Sequence, residues 1–201
     1  MTRLLRHLHR LAEQTSWRSF WVALIFSLLT LAGGLTWATI LYARSGFAPR
    51  LIEGQLAFNP AQTRAWYAAL IEQGTLDIYR RTQWVDFIFI AGLLATLFIL
   101  HLMIAKARRN EPGWQRLALW LAVLGPAIAT ADIWENLVTL MMLSAPTTFP
   151  SALAILASTL SVVKWGWAVI GTSLVLVQLI ALAWQRISRG GAPRPTNSSG
   201  V

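Results

Sequence analysis

Long apolar runs broken by short polar segments dominate the chain. Four of them, at about 20–42, 84–104, 117–143 and 153–184, each hold enough apolar residues to cross a hydrocarbon core of roughly 30 Å as an α-helix. The pattern predicts an all-α fold, a four-helix transmembrane bundle occupying residues 18–186. Ahead of it, residues 1–17 read as a basic amphipathic helix, with Leu4, Leu8 and Leu11 on one face and Arg3, Arg6 and Arg10 on another. A secretory signal peptide is the competing reading. The run 20–42 exceeds the roughly 7–15 residues of a signal h-region, and no small-x-small cleavage site follows, so it is read as a retained first span.

The segment 43–83 is the sizeable piece outside the spans. Asn59-Pro60 marks a helix start, with Asn as cap and Pro at the first helical position. That helix is expected over 60–73, ending at Gly74 in the left-handed conformation, with Thr75 capping a second helix that runs into span 2. Trp66, Tyr67, Leu70 and Ile71 give the first helix an apolar side. The third and fourth helices exceed what a bilayer requires. Their overshoot predicts a hairpin across 144–150, packed on helix 60–73 as a small extracytoplasmic helical cap. Pro126, after Gly125, is expected to kink the third helix. The tail, 187–201, is rich in Gly, Pro, Ser and Asn and is expected to be disordered and cytoplasmic.

Composition agrees with lipid as the solvent. The chain is 56% hydrophobic and 12% charged, with mean hydropathy +0.54, more apolar surface than a soluble domain of 201 residues can hide. Net charge is +9, but the basic residues flank the apolar runs instead of forming one patch. That is an orientation signal, so nucleic acid is not the expected partner and anionic membrane lipid is. Arg3, Arg6, Arg10 and Arg18 precede span 1; Lys106, Arg108, Arg109 and Arg116 lie between spans 2 and 3; Arg186, Arg189 and Arg194 follow span 4. The link between spans 3 and 4 has no Lys or Arg. Segment 43–83 does carry Arg44, Arg50, Arg64, Arg80 and Arg81, partly balanced by Glu53, Glu72 and Asp77. Both termini are therefore expected on the cytoplasmic side of the membrane. Tryptophan supplies an independent signal: Trp17, Trp21, Trp114, Trp120 and Trp184 fall at one boundary, and Trp37, Trp84, Trp134, Trp165 and Trp167 at the other.

There are no cysteines, which excludes disulfides, thiolate catalysis, iron–sulfur clusters and cysteine zinc sites. His7 and His9 lie in the basic N-terminal segment and His101 near the inner end of span 2, so no pair is placed to grip a haem. No cofactor is expected.

The candidate chemistry lies in polar residues set into apolar sequence: Asp86 in span 2; Asp132, Glu135 and Asn136 in span 3; Lys164 in span 4. Counted from the cytoplasmic ends, they rise to similar depths of roughly 22–30 Å. On helix 3 the i, i+3, i+4 spacing puts Asp132, Glu135 and Asn136 on one face. Tyr79, Arg80 and Arg81 lie a turn or two above Asp86. An unpaired charge costs at least roughly 2.5–3.5 kcal/mol at the membrane centre and less toward its edge, so these groups should face one another. Three acids against one lysine leave excess negative charge, which Arg80 or Arg81 is expected to offset in part, unless one carboxyl stays protonated.

Two readings follow. In the first, the cluster is a site opening toward the outer leaflet that binds or transforms a lipid or other amphiphile, a carboxylate acting as acid or base and Lys164 holding an anionic head group or a carboxylate. In the second, it is an ion-pair network fixing helix register in a non-catalytic subunit or assembly factor, packed against a membrane-protein partner or its own copy. A divalent cation on Asp86, Asp132 and Glu135 is disfavoured by Lys164, and no catalytic residue is assignable. A proton path is opposed by the crowding of the acids at one depth, with only His101 and Gln178 in the inner half. Gly33-Gly34, Gly171 and Gln178 read as helix-packing positions, and His101 as an interfacial histidine.

The stretch Ala131-Asp132-Ile133-Trp134-Glu135-Asn136-Leu137 resembles a motif, Ala-Asp-x-x-Glu-Asn-Leu, of uncharacterised bacterial four-helix membrane proteins. In these a Tyr and then an Asp precede the second span, as Tyr79 and Asp86 do, and a Lys-Trp pair lies in the fourth, as Lys164-Trp165 does. The resemblance covers roughly 60–185 and implies a four-helix membrane fold, with no activity attached.

Overall fold

The computed structural model describes residues 3–190, so most of the tail expected to be disordered lies outside the described residues. Seven helices follow in order: α1 (Arg3–Gln14), α2 (Trp17–Ser45), α3 (Leu51–Gln55), α4 (Pro60–Glu72), α5 (Leu76–Ala107), α6 (Pro112–Ser144) and α7 (Ser151–Gly190). The described residues are otherwise turns and links. Four helices, α2, α5, α6 and α7, are long and apolar enough to cross a membrane. The short α3 was not anticipated; its five residues carry too little periodicity to register. At the other end, α7 continues to Gly190, past the boundary expected at 186.

Local signals set the helix ends. Ser16 caps α2 by accepting from the Ser19 N–H at 3.1 Å, and Asn59 caps α4 through Gln62 N–H at 3.1 Å, with Pro60 at the first position. Gly74 turns the chain out of α4 at φ +70°, a conformation a side chain would strain. Thr75 occupies the cap position of α5, but its side chain makes no capping bond. Pro126 is carried within a single helix, α6.

In the bundle, α5 lies between α2 and α6, and α6 between α5 and α7; α5 and α7 barely touch. Small residues bring α2 and α5 close. A Cβ on Gly34 would stand 2.5 Å from the Phe89 nitrogen, and one on Gly92 would collide with the Leu31 backbone. Thr96 donates to Ser27 across the same seam at 3.1 Å. Of the Gly33-Gly34 pair only Gly34 is at the contact. Gly171 is not a packing position: a Cβ there would meet nothing within 4 Å.

Two apolar cores sit at opposite ends. At the α1 end, Leu5, Leu8 and Ala12 pack on Leu102, Ile104, Ala118 and Leu119 of α5 and α6. The expected stripe of Leu4, Leu8 and Leu11 is thus corrected: Leu4 is 51% and Leu11 44% exposed, while Leu5 is 2% exposed. Both stripes have helical spacing and share Leu8, and docking onto α5 chose between them. Lys106 fixes the docking by donating to the Ala12 and Glu13 carbonyls (3.2 and 2.8 Å), a cation at the C-terminal end of α1. Nearby Arg108 is fully buried, paired with Glu111 at 2.6 Å, stacked 4.9 Å over Trp114 and donating to the Gln178 carbonyl.

At the far end, Tyr67 and Leu70 of α4 pack with Tyr79, Val138, Met142 and Phe149. Arg64 lies over the Phe149 ring and donates to its carbonyl at 2.9 Å and to Ser151 Oγ at 2.8 Å, so α4 and the α6–α7 link hold each other. Ile71, assigned to the apolar side of α4, is exposed.

Candidate functional site

Between the two cores lies the polar level. Because α6 sits between α5 and α7, its polar face divides. Asn136 turns to α5 and donates from Nδ2 to Asp86 Oδ2 at 2.7 Å. Asp132 and Glu135 turn to α7, where Lys164 Nζ lies 2.9 Å from Asp132 Oδ1 and 2.6 Å from Glu135 Oε2. Asp132, Glu135 and Asn136 are buried at 3–4% exposure, deep enough that their neighbours, not solvent, set their energy. Lys164 donates a hydrogen bond to Asp132 Oδ1 and pairs with Glu135 by charge.

The arginine expected to offset the acid excess is elsewhere. Arg80 pairs with Asp77 at 2.5 Å, one turn back on α5, and donates to the Leu143 carbonyl at 2.9 Å, near the C-terminus of α6. Half-exposed there, the guanidinium avoids desolvation and meets the negative end of a helix dipole. Arg81 is exposed. Among the described residues, Asp86, Asp132 and Glu135 therefore have Lys164 as the cation of this level.

Tyr79 is buried in an aromatic group above Glu135. Its ring stacks 4.4 Å from Phe47, with Tyr42 and Tyr67 at 6.2 and 6.0 Å. Burial pushes the Tyr67 phenol above its ordinary range, and the nearby Glu135 carboxylate adds to the rise. A cavity of about 50 Å³ lies among Tyr42, Tyr67, Tyr79, Glu135 and Ser161, the order of size that holds a water or two.

Larger spaces flank Lys164 and Asp132. One, of about 350 Å³, is lined by Thr39 and Tyr42 of α2, Gln55 of α3, Thr82, Gln83 and Asp86 of α5, Asn136 of α6 and Trp165 of α7. The other, of about 210 Å³, runs between α5, α6 and α7 toward α1, past Leu93, Leu97, Leu124 and Leu174 to His101. Both are walled by Leu93, Asp132, Lys164 and Ala168, so the two chambers adjoin at this level beside the gap that α5 and α7 leave open. The first sets these polar groups into an otherwise apolar wall that includes Leu35, Leu51 and Phe89; the second is apolar but for His101, Thr172 and the Asp132–Lys164 pair. Together they reach the 300–1,000 Å³ of small-molecule sites.

Sequence reasoning missed the amide and hydroxyl wall of the first chamber. Thr82 and Gln83 lie one turn before Asp86, a spacing that marks a shared face, but Gln55 is brought in only by α3, where it accepts from the Trp165 indole at 3.0 Å. His101, read as interfacial, is 3% exposed and lines the second chamber. Among the described residues no three His, Asp or Glu side chains converge to hold a metal ion.

The class these features define is an all-helical protein with four helices long and apolar enough to span a membrane and a buried Asp/Glu/Asn/Lys level between them. No protein-family model, curated protein or solved structure matches this chain.

Proposed function

We propose that the chain is a multi-pass protein of a bacterial inner membrane, with both termini cytoplasmic, whose groove binds a lipid or other amphiphile at outer-leaflet depth. We also read it as a member of the four-helix family that the 131–137 motif resembles. The observation that carries the binding reading is a pair of adjoining spaces that share Lys164 and Asp132 in their walls, one carrying several further polar groups and the other lined almost wholly by apolar side chains. A head group would lie among Asp86, Gln83, Gln55 and Asn136, with the hydrocarbon along Leu93, Leu97 and Leu124. Since Lys164 already contacts two carboxylates, the acid excess favours a neutral or cationic head that donates hydrogen bonds over a phosphate.

A second reading, a register-fixing network in a non-catalytic subunit, is favoured by those same direct contacts, which pin α6 to α7 while Asp86–Asn136 pins it to α5. Its partner would be a larger membrane protein or another copy of this chain. Mass spectrometry of lipids retained by purified wild type, Asp86→Asn, Glu135→Gln and Lys164→Ala separates the two. Loss of one lipid species with folding intact supports the site. Loss of folding without change in retained lipid supports the network.

A further inference from the structure

Helix α1 buries one side and leaves the others open. Leu5, Leu8 and Ala12 pack into the cluster that holds Phe20 and Leu24 of α2, Leu102 of α5, and Ala118 and Leu119 of α6. Phe20 and Leu24 lie about 4.5 and 10 Å along α2 from its first residue, so α1 sits at the level where this candidate span begins. Trp17 and Trp21, both exposed, mark the same level, as amphipathic indoles do at a bilayer boundary.

Helical spacing puts Arg3, Arg6 and Arg10 on the side of α1 opposite Leu5, Leu8 and Ala12. All three are exposed, and among the described residues none pairs with an acid. The acid of this helix, Glu13, is engaged by Gln115, which donates to it at 3.2 Å. Three cations spread over about 10 Å of one helix therefore repel one another without compensation from the chain. Leu4 and Leu11, two turns apart, form an exposed apolar flank between the arginines and the packed side. Water would leave these leucines bare. A lipid leaflet covers them with acyl chains and answers the arginines with phosphates.

We propose that α1 is an interfacial helix that gathers anionic phospholipid on the adjoining leaflet, Arg3, Arg6 and Arg10 meeting the phosphates and Leu11 the upper acyl chains. The inference rests on the reading of the chain as a membrane protein and is independent of the groove. Docking onto α5 and α6 stays with Leu5, Leu8 and Lys106, and lipid meets the sides of α1 that docking leaves free.

The test uses the full chain in lipid nanodiscs, with bimane on one cysteine at a time at Leu11→Cys, Arg6→Cys or Leu29→Cys. Leu29 is exposed near the middle of α2. Lipids carrying a nitroxide on the upper acyl chain should quench bimane at position 11 at least about twofold more than at position 6. At ~0.1 M salt, where the screening length is ~10 Å, nitroxide phosphatidylglycerol should quench position 11 at least about threefold more than nitroxide phosphatidylcholine at equal mole fraction. At ~1 M, where that length is ~3 Å, the preference should vanish. Changing Arg3, Arg6 and Arg10 together to Gln should remove at least about half of it at low salt.

Equal quenching by the two lipids in wild type, or a preference that the triple variant keeps, overturns the role of the arginines. Quenching at position 11 no stronger than at position 6 overturns the interfacial placement. A nitroxide deep in the acyl chain must quench position 29. If it does not, the membrane reading falls and the proposal with it; if it does while position 11 stays unquenched, the proposal falls alone. Should the triple variant fail to fold, Arg10→Gln by itself decides, with about a third of the expected loss.

Discussion

Asn136 hands its amide N–H to Asp86 across 2.7 Å, tying α6 to α5 one helix away from the place where Lys164 ties α6 to α7. Each link is made by a group that would be costly to leave alone, but the two differ in kind. A neutral amide serves one carboxylate, whereas one ammonium serves two.

Asn136→Leu should therefore strip Asp86 of the amide donor that α6 supplies and cost about 1.5–3 kcal/mol, the usual worth of a hydrogen bond to a charged group. Adding Asp86→Leu removes the stranded carboxylate and should recover most of that loss. Unfolding of the two variants in mixed detergent micelles measures both. Equal stability of Asn136→Leu and wild type would mean that Asp86 finds another donor.

Lys164→Met should cost more, about 3–5 kcal/mol, because it leaves Asp132 and Glu135 facing each other without a cation. Glu135→Gln should be far milder, since Lys164 keeps Asp132 and the amide can still accept. The triple change Lys164→Met, Asp132→Leu, Glu135→Leu replaces the network by apolar volume and should return stability to near wild type. A severe loss in the triple variant would show that packing at this level, not charge, sets the cost.

How much of this was legible beforehand depends on what each signal resolves. Hydropathy and i, i+3, i+4 spacing placed Asp132, Glu135 and Asn136 on one face and at the depth of Asp86 and Lys164, because both are properties of single helices. The division of that face between two neighbours needed the order of helices in space. Arg80 was misplaced because a one-turn pairing with Asp77 competes with the buried level and requires no desolvation. Leu4 and Leu5 were interchangeable by period, and only the ends of α5 and α6 distinguish them. The chambers could not be read at all, since a void is the absence of contact between α5 and α7, two helices far apart in sequence.

The α2–α5 seam makes a sharp positional prediction. Gly92→Leu should destabilise by at least about 1–3 kcal/mol, because the new side chain must start inside the Leu31 backbone, and Gly34→Leu should do the same against Phe89. Gly33→Ala, one residue away with open space beside it, should be neutral or stabilising by up to about 1 kcal/mol. Thermal unfolding of the three, followed by near-ultraviolet circular dichroism, gives the order. Identical effects at 33 and 34 would dissolve the seam.

Docking of α1 is equally open to test. Trypsin has exposed targets at Arg3, Arg6 and Arg10 and is slowed by the helix being held through Leu5, Leu8 and Lys106. Leu5→Asp should accelerate cleavage in this segment at least about tenfold, since burying a charge against Leu102 and Leu119 frees the helix. Lys106→Met should have an intermediate effect, and Leu4→Asp, at an exposed position, should match wild type. Equal rates for the Leu4 and Leu5 variants would restore the stripe read from spacing alone.

Orientation can be settled with single cysteines, because the chain has none of its own. Thr147 in the α6–α7 link and Asn110 in the α5–α6 link are both exposed, at opposite ends of α6. The basic residues Lys106, Arg108, Arg109 and Arg116 gather around Asn110 in sequence, whereas the α6–α7 link, 145–150, holds no Lys or Arg. In intact spheroplasts Thr147→Cys should react with a membrane-impermeant maleimide, while Asn110→Cys should react only after the membrane is permeabilised. The Lys164–Asp132–Glu135 level lies nearer Thr147 than Asn110 along α6 and α7, so this labelling also fixes the leaflet from which a ligand reaches the groove. The reverse pattern would put the chamber beside Asp86 at the cytoplasmic side and exclude outer-leaflet amphiphiles as its occupants.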